Sequence, residues 1–294
     1  MSNSGFLLVD KPAGFTSHDV VAKVRKALGT KKVGHAGTLD PMATGLLVVG
    51  VNSGTKLLTF AVGLDKTYLA TIRLGAATVT DDAEGEYTFR GERQAVLNLT
   101  DQRIREEIAV LTGTISQVPS SVSAIKVAGV RSYDRVRSGE EVKLASREVT
   151  VSRFEILEIR RIENFIDVDV LVDCSSGTYI RALARDLGSA LQVGGHLTSL
   201  RRTQVGKFSV ENATAIDQLA DSELIELTHA CEMLMPTIEI SDSDALALRQ
   251  GKQIDGEATQ VLGAVCAGSL IAVLEKAKFS KLKSVVVFAG GSDD

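Results

Sequence analysis

One carboxylate in this chain stands in a setting that suits catalysis: Asp40, within residues 34–45. The surrounding sequence is Gly-His-Ala-Gly-Thr-Leu-Asp-Pro-Met-Ala-Thr-Gly, so a glycine-bearing loop precedes the acid and a proline turn follows it. A single acid held in this way can act as a nucleophile. Asp before Pro is also a common way to begin a helix, so the dipeptide alone leaves the nucleophile and the cap both open.

The apolar pattern predicts the elements that must hold this acid. A strand over residues 6–9 leads into a Lys-Pro turn, and Ser17 is expected to cap a helix that stops at Gly29. Residues 45–51 form a buried-strand run, and residues 66–74 alternate as a strand that carries Tyr68. Asp40 is therefore followed directly by a buried strand.

The rest of the chain predicts a mixed α+β fold. Runs over 148–159 and 165–174 are expected to pair as antiparallel strands, with helices over about 100–111 and 180–191 and a strand over 196–205. Past Pro236, an acidic helix over 242–250 precedes strands at 261–266, 270–274 and 284–288. We predict a mixed, largely antiparallel sheet flanked by helices in residues 1–236, and a small β-rich domain in 237–294.

Length and composition indicate a globular protein with a sizeable core. The chain has 294 residues, of which 44% are hydrophobic, enough for one large domain and a small one. The first residues carry no basic or long apolar run, and no segment approaches the ~20 apolar residues of a membrane span. We expect no signal peptide, no membrane association and a cytoplasmic location.

Cofactor and metal motifs are missing from the sequence. The four histidines show no HExxH or similar spacing, and no glycine cluster forms a GxxxxGK[ST] phosphate loop. Cys174, Cys231 and Cys266 are far apart and odd in number, which argues against a disulfide framework and a CxxC site. We expect reduced thiols, no metal and no cofactor.

Several motifs occur together with the Asp40 segment. They are KPAGFTS at 11–17, KTY at 66–68 and CSSGTYIR at 174–181. With these motifs in this order, from about residue 5 to residue 208, the chain resembles the bacterial tRNA pseudouridine synthases of the TruB family. The resemblance implies isomerisation of the uridine at position 55 in the T-arm of tRNA.

The implied reaction is consistent with a single catalytic acid. Conversion of uridine to pseudouridine cleaves the N1 glycosidic bond, turns the uracil and joins C5 to the same sugar carbon, so no redox or energy-carrying cofactor is needed. The family nucleophile matches Asp40. A hydrolytic glycosidase normally brings a second carboxylate to activate water, and these motifs contain no second candidate.

The resemblance also assigns roles to residues that the pattern alone leaves open. A nucleophilic carboxylate in a dry site needs a nearby cation to stay ionised, and the family arginine that pairs with it matches Arg181. Without the resemblance, the pattern favours a surface arginine at this position, with Arg185 one turn further on. Tyr68 matches the residue that stacks on the target uracil, Tyr179 a residue of the base pocket and Leu200 an apolar contact to the base. Each of these three is also consistent with ordinary packing.

Two further residues are assigned to substrate binding. His35 could be a general base, a metal ligand or a loop residue, and the family places its counterpart against the RNA near the flipped nucleotide. Lys11 could support the Asp40 loop or bind a phosphate. Residues 117–147 resemble the family's RNA-clamping thumb, through SAIK at 123–126 and GVRSY at 129–133, but depart from it at Val122, where an aromatic is frequent.

The charge distribution agrees with an RNA partner. The net charge is −4, yet residues 211–257 hold eleven acids against two basic residues. Basic residues are concentrated in 10–35, 126–147 and 181–207, which carry or adjoin the motifs. Each segment alone could be solvated surface; together they favour a surface that neutralises RNA phosphates.

We therefore expect an enzyme that binds the tRNA T-arm, acts as a monomer and has no obligate protein partner. Three other functions remain open. One is a pseudouridine synthase acting on ribosomal RNA, although those families typically have Arg before the Leu-Asp pair where this chain has Thr38. The second is a non-catalytic tRNA-binding or folding module, and the third is a structural or small-molecule-binding α+β protein. The C-terminal domain matches the family poorly, and a PUA-like role for it is implied only by position.

Overall fold

The computed structural model describes residues 4–120, 126–127, 130–131 and 144–288. They group into two compact units: the first unit comprises Met1–Leu64 and Gln204–Asp294, and the second unit Asp65–Thr203. The domain boundary expected at residue 236 stays a prediction. Most of the segment that resembles the thumb lies outside the described residues, including Val122; the structure describes only Lys126 of the motif at 123–126 and Val130 and Arg131 of the motif at 129–133.

The helices of the described residues are short, and the positions predicted from periodicity are confirmed. The α-helices are Ser17–Leu28 (α1), Leu58–Val62 (α2), Arg93–Leu97 (α3), Asp101–Val110 (α4), Ile180–Ala190 (α5), Leu227–Leu234 (α6) and Asp242–Arg249 (α7). In the part of the chain that the structure describes, three 3-10 helices cover Asn52–Leu57, Val210–Asn212 and Leu219–Asp221. No helix in the described ranges is both long enough and apolar enough to cross a membrane.

The strands are more numerous than the sequence pattern predicted, because several are only two to four residues long. In the first half of the chain they are Gly5–Lys11 (β1), Val33–Ala36 (β2), Thr44–Val51 (β3), Lys66–Leu74 (β4), Ala76–Thr78 (β5), Tyr87–Arg90 (β6), Gly113–Gln117 (β7), Lys126–Val127 (β8) and Val130–Arg131 (β9). In the second half they are Arg147–Ile162 (β10), Phe165–Cys174 (β11), Gly195–Val205 (β12), Phe208–Ser209 (β13), Thr214–Ala215 (β14), Ile225–Glu226 (β15), Thr237–Glu239 (β16), Ile254–Asp255 (β17), Leu262–Cys266 (β18), Ser269–Lys276 (β19) and Lys281–Val287 (β20).

The first unit is built around β1. This strand pairs with β3 in antiparallel register from Gly5↔Val51 to Lys11↔Gly45, and with β14 in parallel. Strand β2 pairs with the other edge of β3. One face of these strands is covered by α1, whose buried valines are Val20, Val21 and Val24. The sheet therefore fixes β1, α1 and the β2–β3 connection, which contains Asp40, relative to one another.

The N-terminal cap of α1 differs from the prediction. Thr16, not Ser17, is the cap: its hydroxyl accepts from the Asp19 N–H at 3.1 Å, and the Asp19 carboxylate accepts from the Thr16 N–H at 2.8 Å. This reciprocal pair is a capping box. Gly29 ends the helix as expected, with a φ of 64°. The hydroxyl of Ser17 is consequently available to a distant partner.

The C-terminal strands form a sheet of their own and also share a core with the N-terminal segment. Their order is β16-β18-β19-β20-β17. One apolar cluster lies within this region, on residues such as Leu248 and Ile271. Another joins Phe6 to Val265 and Val273. The predicted β-rich C-terminal region is confirmed, and it packs on the N-terminal part of the first unit.

The second unit carries strands in the order β12-β4-β11-β10-β7. Strands β10 and β11 pair in antiparallel fashion, as predicted, and so do β11 and β4. The register places Tyr68 opposite Val172 and Lys66 opposite Cys174. Helix α5 begins six residues after β11 ends. The mixed α+β fold with largely antiparallel sheets is thus confirmed.

Candidate active site

Asp40 lies in the connection between β2 and β3 and is half-buried. Its own carbonyl accepts from the Ala43 N–H at 3.1 Å, which closes a turn over the proline. Asp40 thus begins a turn and not a helix, so the helix-cap alternative does not apply.

The residue before Asp40 is held by a side chain from α1. The Leu39 N–H donates to the Ser17 hydroxyl oxygen at 2.9 Å, and that hydroxyl donates to the Leu39 carbonyl at 3.2 Å. Ser17 and Leu39 are both buried. Both backbone polar groups of Leu39 are therefore satisfied by one side chain, which fixes the direction in which the chain enters Asp40.

The residue after Asp40 is held from the end of β1. The Pro41 carbonyl accepts from the Gly14 N–H at 2.8 Å and from the Lys11 ammonium at 3.2 Å. Lys11 is fully buried, and its ammonium also donates to the carbonyls of Pro12 at 3.0 Å and Phe15 at 2.6 Å. Three carbonyl oxygens compensate the buried charge. The geometry favours loop support over phosphate binding for Lys11.

His35 lies in β2, just upstream of the Asp40 loop, and is half-buried. Its ring packs edge to face against the ring of the exposed His18 on α1, with centroids 5.6 Å apart. The first unit thus places His35 in the strand before the Asp40 loop and Lys11 against the residue that follows Asp40.

The second unit buries Arg181 beside an aspartate. Arg181 lies in the first turn of α5, and its guanidinium donates to the Thr80 carbonyl at 2.7 Å. The same Nη1 lies 3.5 Å from the Asp82 carboxylate, and the two side chains are only 5% and 4% exposed. A buried pair of this kind holds the arginine in one position. The alternative of a surface arginine is therefore excluded.

Asp82 was not among the site residues predicted from the sequence. Its carboxylate accepts from the Thr80 hydroxyl at 2.5 Å and from the Glu84 N–H at 3.1 Å, so it is shared among several donors. Its neighbour Asp81 has a positive φ of 60°, which is uncommon for a residue with a side chain. In the sequence, the adjacent acids Asp81 and Asp82 indicate a short turn, but no local pattern connects them with Arg181.

Asp81 takes part in a second hydrogen-bond network, next to the Arg181–Asp82 pair. The Asp81 carboxylate accepts from the Ser120 hydroxyl at 2.5 Å and lies 3.3 Å from the Arg185 guanidinium. Burial raises the pKa of Asp81, although Ser120 and Arg185 oppose the shift. Arg185 also donates to the Val118 carbonyl at 2.7 Å. The turn that contains Asp81 and Asp82, before β6, is therefore held against α5 by two arginines of that helix, Arg181 and Arg185.

Tyr68 and Leu200 are buried on β4 and β12, which are neighbours in the sheet of the second unit. Lys66 is two residues before Tyr68 and Arg202 two residues after Leu200, so each cation shares a strand face with one of them. Burial, and then the charge of Arg202, lower the pKa of Lys66 to about 8. This buried face therefore combines apolar contact with positive charge.

Tyr179 is half-buried and immediately precedes α5. Its N–H and carbonyl both bond to the side chain of Gln117, and the Arg147 guanidinium lies 5.0 Å from the centre of its ring. The structure thus brings Tyr179 and Arg181 to one helix start.

Among the residues that the structure describes, no group of three or more His, Cys, Asp or Glu side chains could hold a metal ion.

Comparison with protein-family models gives two adjoining matches. The model described as "TruB family pseudouridylate synthase (N terminal domain)" matches residues 25–180. The model described as "tRNA pseudouridylate synthase B C-terminal domain" matches residues 181–241. The two matches together cover most of the chain, including Asp40, Tyr68, Tyr179, Arg181 and Leu200.

Similar proteins agree with these matches. A protein named tRNA pseudouridine synthase B from Paenarthrobacter aurescens (strain TC1) is 54% identical over 98% of this chain and 96% of its own length. A protein of the same name from Corynebacterium diphtheriae is 53% identical over 86% of this chain and 85% of its own length.

Among solved structures, an H/ACA RNP bound to a substrate RNA containing 2'-deoxyuridine has a chain that is 25% identical, with a TM-score of 0.72. The likeness covers 97% of this chain and 85% of that chain. A Cbf5-Nop10-Gar1 complex gives the same identity and TM-score. On these family matches and relatives, the chain belongs to the TruB family of pseudouridylate synthases, enzymes that isomerise uridine in RNA.

Proposed function

We propose that this enzyme converts uridine 55 in the T-loop of tRNA to pseudouridine, with the Asp40 carboxylate as nucleophile. The observation that carries the proposal is the double support of the Asp40 loop, by Ser17 on one side and by Lys11 and Gly14 on the other. A carboxylate that must attack one carbon atom needs such fixed geometry. The relatives named tRNA pseudouridine synthase B support tRNA as the substrate.

In the proposed reaction the target nucleotide is first extruded, at a cost of a few kcal/mol in lost stacking. The Asp40 carboxylate then attacks the nucleotide, either at the sugar or at the base, and forms a transient covalent bond with it. The bond between C1′ and N1 breaks, the uracil turns, a bond forms between C1′ and C5, and the bond to Asp40 breaks, which restores the free carboxylate. The proton on C5 leaves and N1 gains one, so the product is an isomer and no cofactor is consumed.

Other residues are proposed to bind and orient the nucleotide. Tyr68 stacks on the uracil, and Tyr179 and Leu200 line its surroundings, because flat and apolar side chains suit an unstacked base. Arg181 supplies a positive charge for the nucleophilic carboxylate, and His35 contacts the RNA. Lys11 acts through the Asp40 loop. We infer that the enzyme acts in the cytoplasm, on its tRNA substrate.

The position of modification tests this proposal. Purified enzyme is incubated, without metal or nucleotide, with unmodified tRNA, with the same tRNA carrying cytidine in place of uridine 55, and with a ribosomal RNA fragment. Pseudouridine is then mapped at single-nucleotide resolution. We expect signal at position 55 of the first RNA only. Signal in the ribosomal fragment, or elsewhere in the tRNA, would contradict the proposed specificity.

A further inference from the structure

The backbone of Tyr179 is held by a single side chain from another part of the second unit. The Tyr179 N–H donates to Oε1 of Gln117 at 2.8 Å, and Nε2 of Gln117 donates to the Tyr179 carbonyl at 3.1 Å. The two residues are 62 positions apart in the chain. An amide that donates and accepts at the same residue fixes the orientation of both adjoining peptide groups.

Gln117 is itself rigidly placed. It ends β7, where it pairs with Arg147 at the start of β10, and it is only 1% exposed. Its amide cannot turn over without placing donor against donor and acceptor against acceptor. Arg147, its cross-strand partner, lies with its guanidinium 5.0 Å from the centre of the Tyr179 ring. Gln117 and Arg147, which are paired across two strands, therefore contact the backbone and the ring of Tyr179, respectively.

The start of α5 depends on such outside contacts. Tyr179 is the N-terminal cap residue of α5, and its own side chain makes no capping hydrogen bond. The backbone of Tyr179 is extended and not yet helical, with a φ of −102° and a ψ of 108°. Without the two hydrogen bonds from Gln117, the angle at which the helix begins is less constrained. The next residue of the chain, Ile180, opens the turn that contains Arg181.

Val118, the residue after Gln117, makes a further contact with α5. The Val118 carbonyl accepts from Arg185 at 2.7 Å, one turn after Arg181. Gln117 and Val118 therefore contact α5 on both sides of Arg181. The contacts constrain the position of Tyr179 directly and that of Arg181 through the helix.

We propose that Gln117 is a positioning residue for pseudouridine formation, because it orients Tyr179 and the start of α5. The proposal rests on the proposed function, in which Tyr179 and Arg181 serve the target nucleotide. It assigns Gln117 no contact with RNA. Removal of the two hydrogen bonds should therefore slow the chemical step and leave tRNA affinity unchanged.

Two substitutions separate positioning from simple stability. Gln117→Leu removes both hydrogen bonds. Gln117→Glu keeps the length of the side chain: when ionised, it accepts from the Tyr179 N–H but cannot donate to the carbonyl. When protonated, one oxygen can donate while the other accepts, so both bonds return. Val168→Ala, a buried change in β11 away from Tyr179, controls for loss of core packing.

The measurement is the single-turnover rate constant at saturating tRNA between pH 5.5 and 8, together with the dissociation constant. We expect Gln117→Leu to lower the rate constant about tenfold or more with affinity unchanged, and Val168→Ala to leave the rate constant unchanged. For Gln117→Glu, the rate constant divided by that of the unsubstituted enzyme should rise as the pH falls. This ratio cancels the pH dependence of the other groups.

Three results would overturn the proposal: a Gln117→Leu rate constant within twofold of the unsubstituted enzyme, a loss confined to tRNA affinity, or a Gln117→Glu ratio that falls as the pH falls. Hydrogen exchange gives a readout that does not need activity. The Tyr179 amide should lose protection in Gln117→Leu, and unchanged protection would also overturn the proposal. Absence of pseudouridine with the unsubstituted enzyme would instead count against the proposed function alone.

Discussion

Ser17 satisfies both backbone polar groups of Leu39, accepting from its N–H at 2.9 Å and donating to its carbonyl at 3.2 Å. This contact joins the first turn of α1 to the residue that precedes Asp40. Since both residues are buried, water cannot replace the hydroxyl without rearrangement. The position of the carboxylate therefore depends on a serine that has no chemistry of its own in the reaction.

Ser17→Ala should weaken both the fold and the reaction. Two buried backbone groups lose their partner, which costs about 1–3 kcal/mol of unfolding free energy, and the Asp40 loop gains freedom. We expect a slower single-turnover reaction with unchanged tRNA affinity. Ser222→Ala is the matched control, because Ser222 also donates to a backbone carbonyl in the first unit, that of Leu219 at 2.7 Å. Equal rates for Ser17→Ala and Ser222→Ala would contradict this role.

Lys11→Met tests whether Lys11 supports the loop or binds phosphate. Its ammonium donates to three carbonyls, so the substitution should lower the unfolding free energy by about 2–4 kcal/mol. A lost phosphate contact would reduce the slope of log affinity against log salt by about 0.7–0.9. We expect that slope, measured by tRNA titration at several salt concentrations, to stay unchanged. A reduced slope would show that Lys11 contacts the RNA backbone.

Asp82→Asn should slow catalysis, because it removes the negative charge beside buried Arg181. We expect a loss of at least about tenfold in the single-turnover rate constant, or ~1.4 kcal/mol in transition-state stabilisation. The control is Asp101→Asn, which breaks the exposed pair between Asp101 and Arg161. Exposed pairs contribute ~1 kcal/mol or less, so this variant should keep full activity. Full activity of Asp82→Asn would mean that Arg181 does not need its partner.

Lys66 should make stability depend on pH in the alkaline range. Burial, and then the charge of Arg202, lower its pKa from 10.5 to about 8. Below pH 8 Lys66 is charged in both the folded and the unfolded protein, and the folded protein bears the full free-energy cost of burying this charge. From about pH 8 to 10.5 the folded protein has released this proton while the unfolded chain still holds it, so this cost decreases as the pH rises and is gone above 10.5.

Lys66→Met isolates this effect. The gain in unfolding free energy from the substitution should be largest below pH 8, on the order of 3 kcal/mol larger than above pH 10.5. Chemical denaturation of both proteins across this range gives the difference directly, since other titrating groups cancel. A difference that does not vary with pH would show that Lys66 has an ordinary pKa in the folded protein.

Periodic elements could be predicted from the sequence, because each depends on a repeating pattern within a short window. Strand β4, the pair of β10 and β11, and helix α5 were all predicted close to their observed bounds. The end of α1 at Gly29 was also predicted, since a left-handed residue after a helix favours glycine.

The supports of the site could not be predicted, because they join residues far apart in the chain. Ser17 reads locally as a helix cap, yet its partner is 22 residues away. Gln117 and Asp82 contact Tyr179 and Arg181 across still longer separations. The grouping of residues after Gln204 with the N-terminal segment likewise rests on shared packing, such as Phe6 with Val273, that no local pattern encodes.

Asp40→Asn removes the proposed nucleophile and changes little else. Asparagine keeps the size of the side chain and removes the nucleophilic charge. The measurement is single-turnover pseudouridine formation at tRNA position 55, with the dissociation constant measured in parallel. We expect no pseudouridine above background and an affinity within about threefold of that of the unsubstituted enzyme, a difference of less than about 1 kcal/mol. Pseudouridine formation by Asp40→Asn at a rate near that of the unsubstituted enzyme would contradict this role of Asp40.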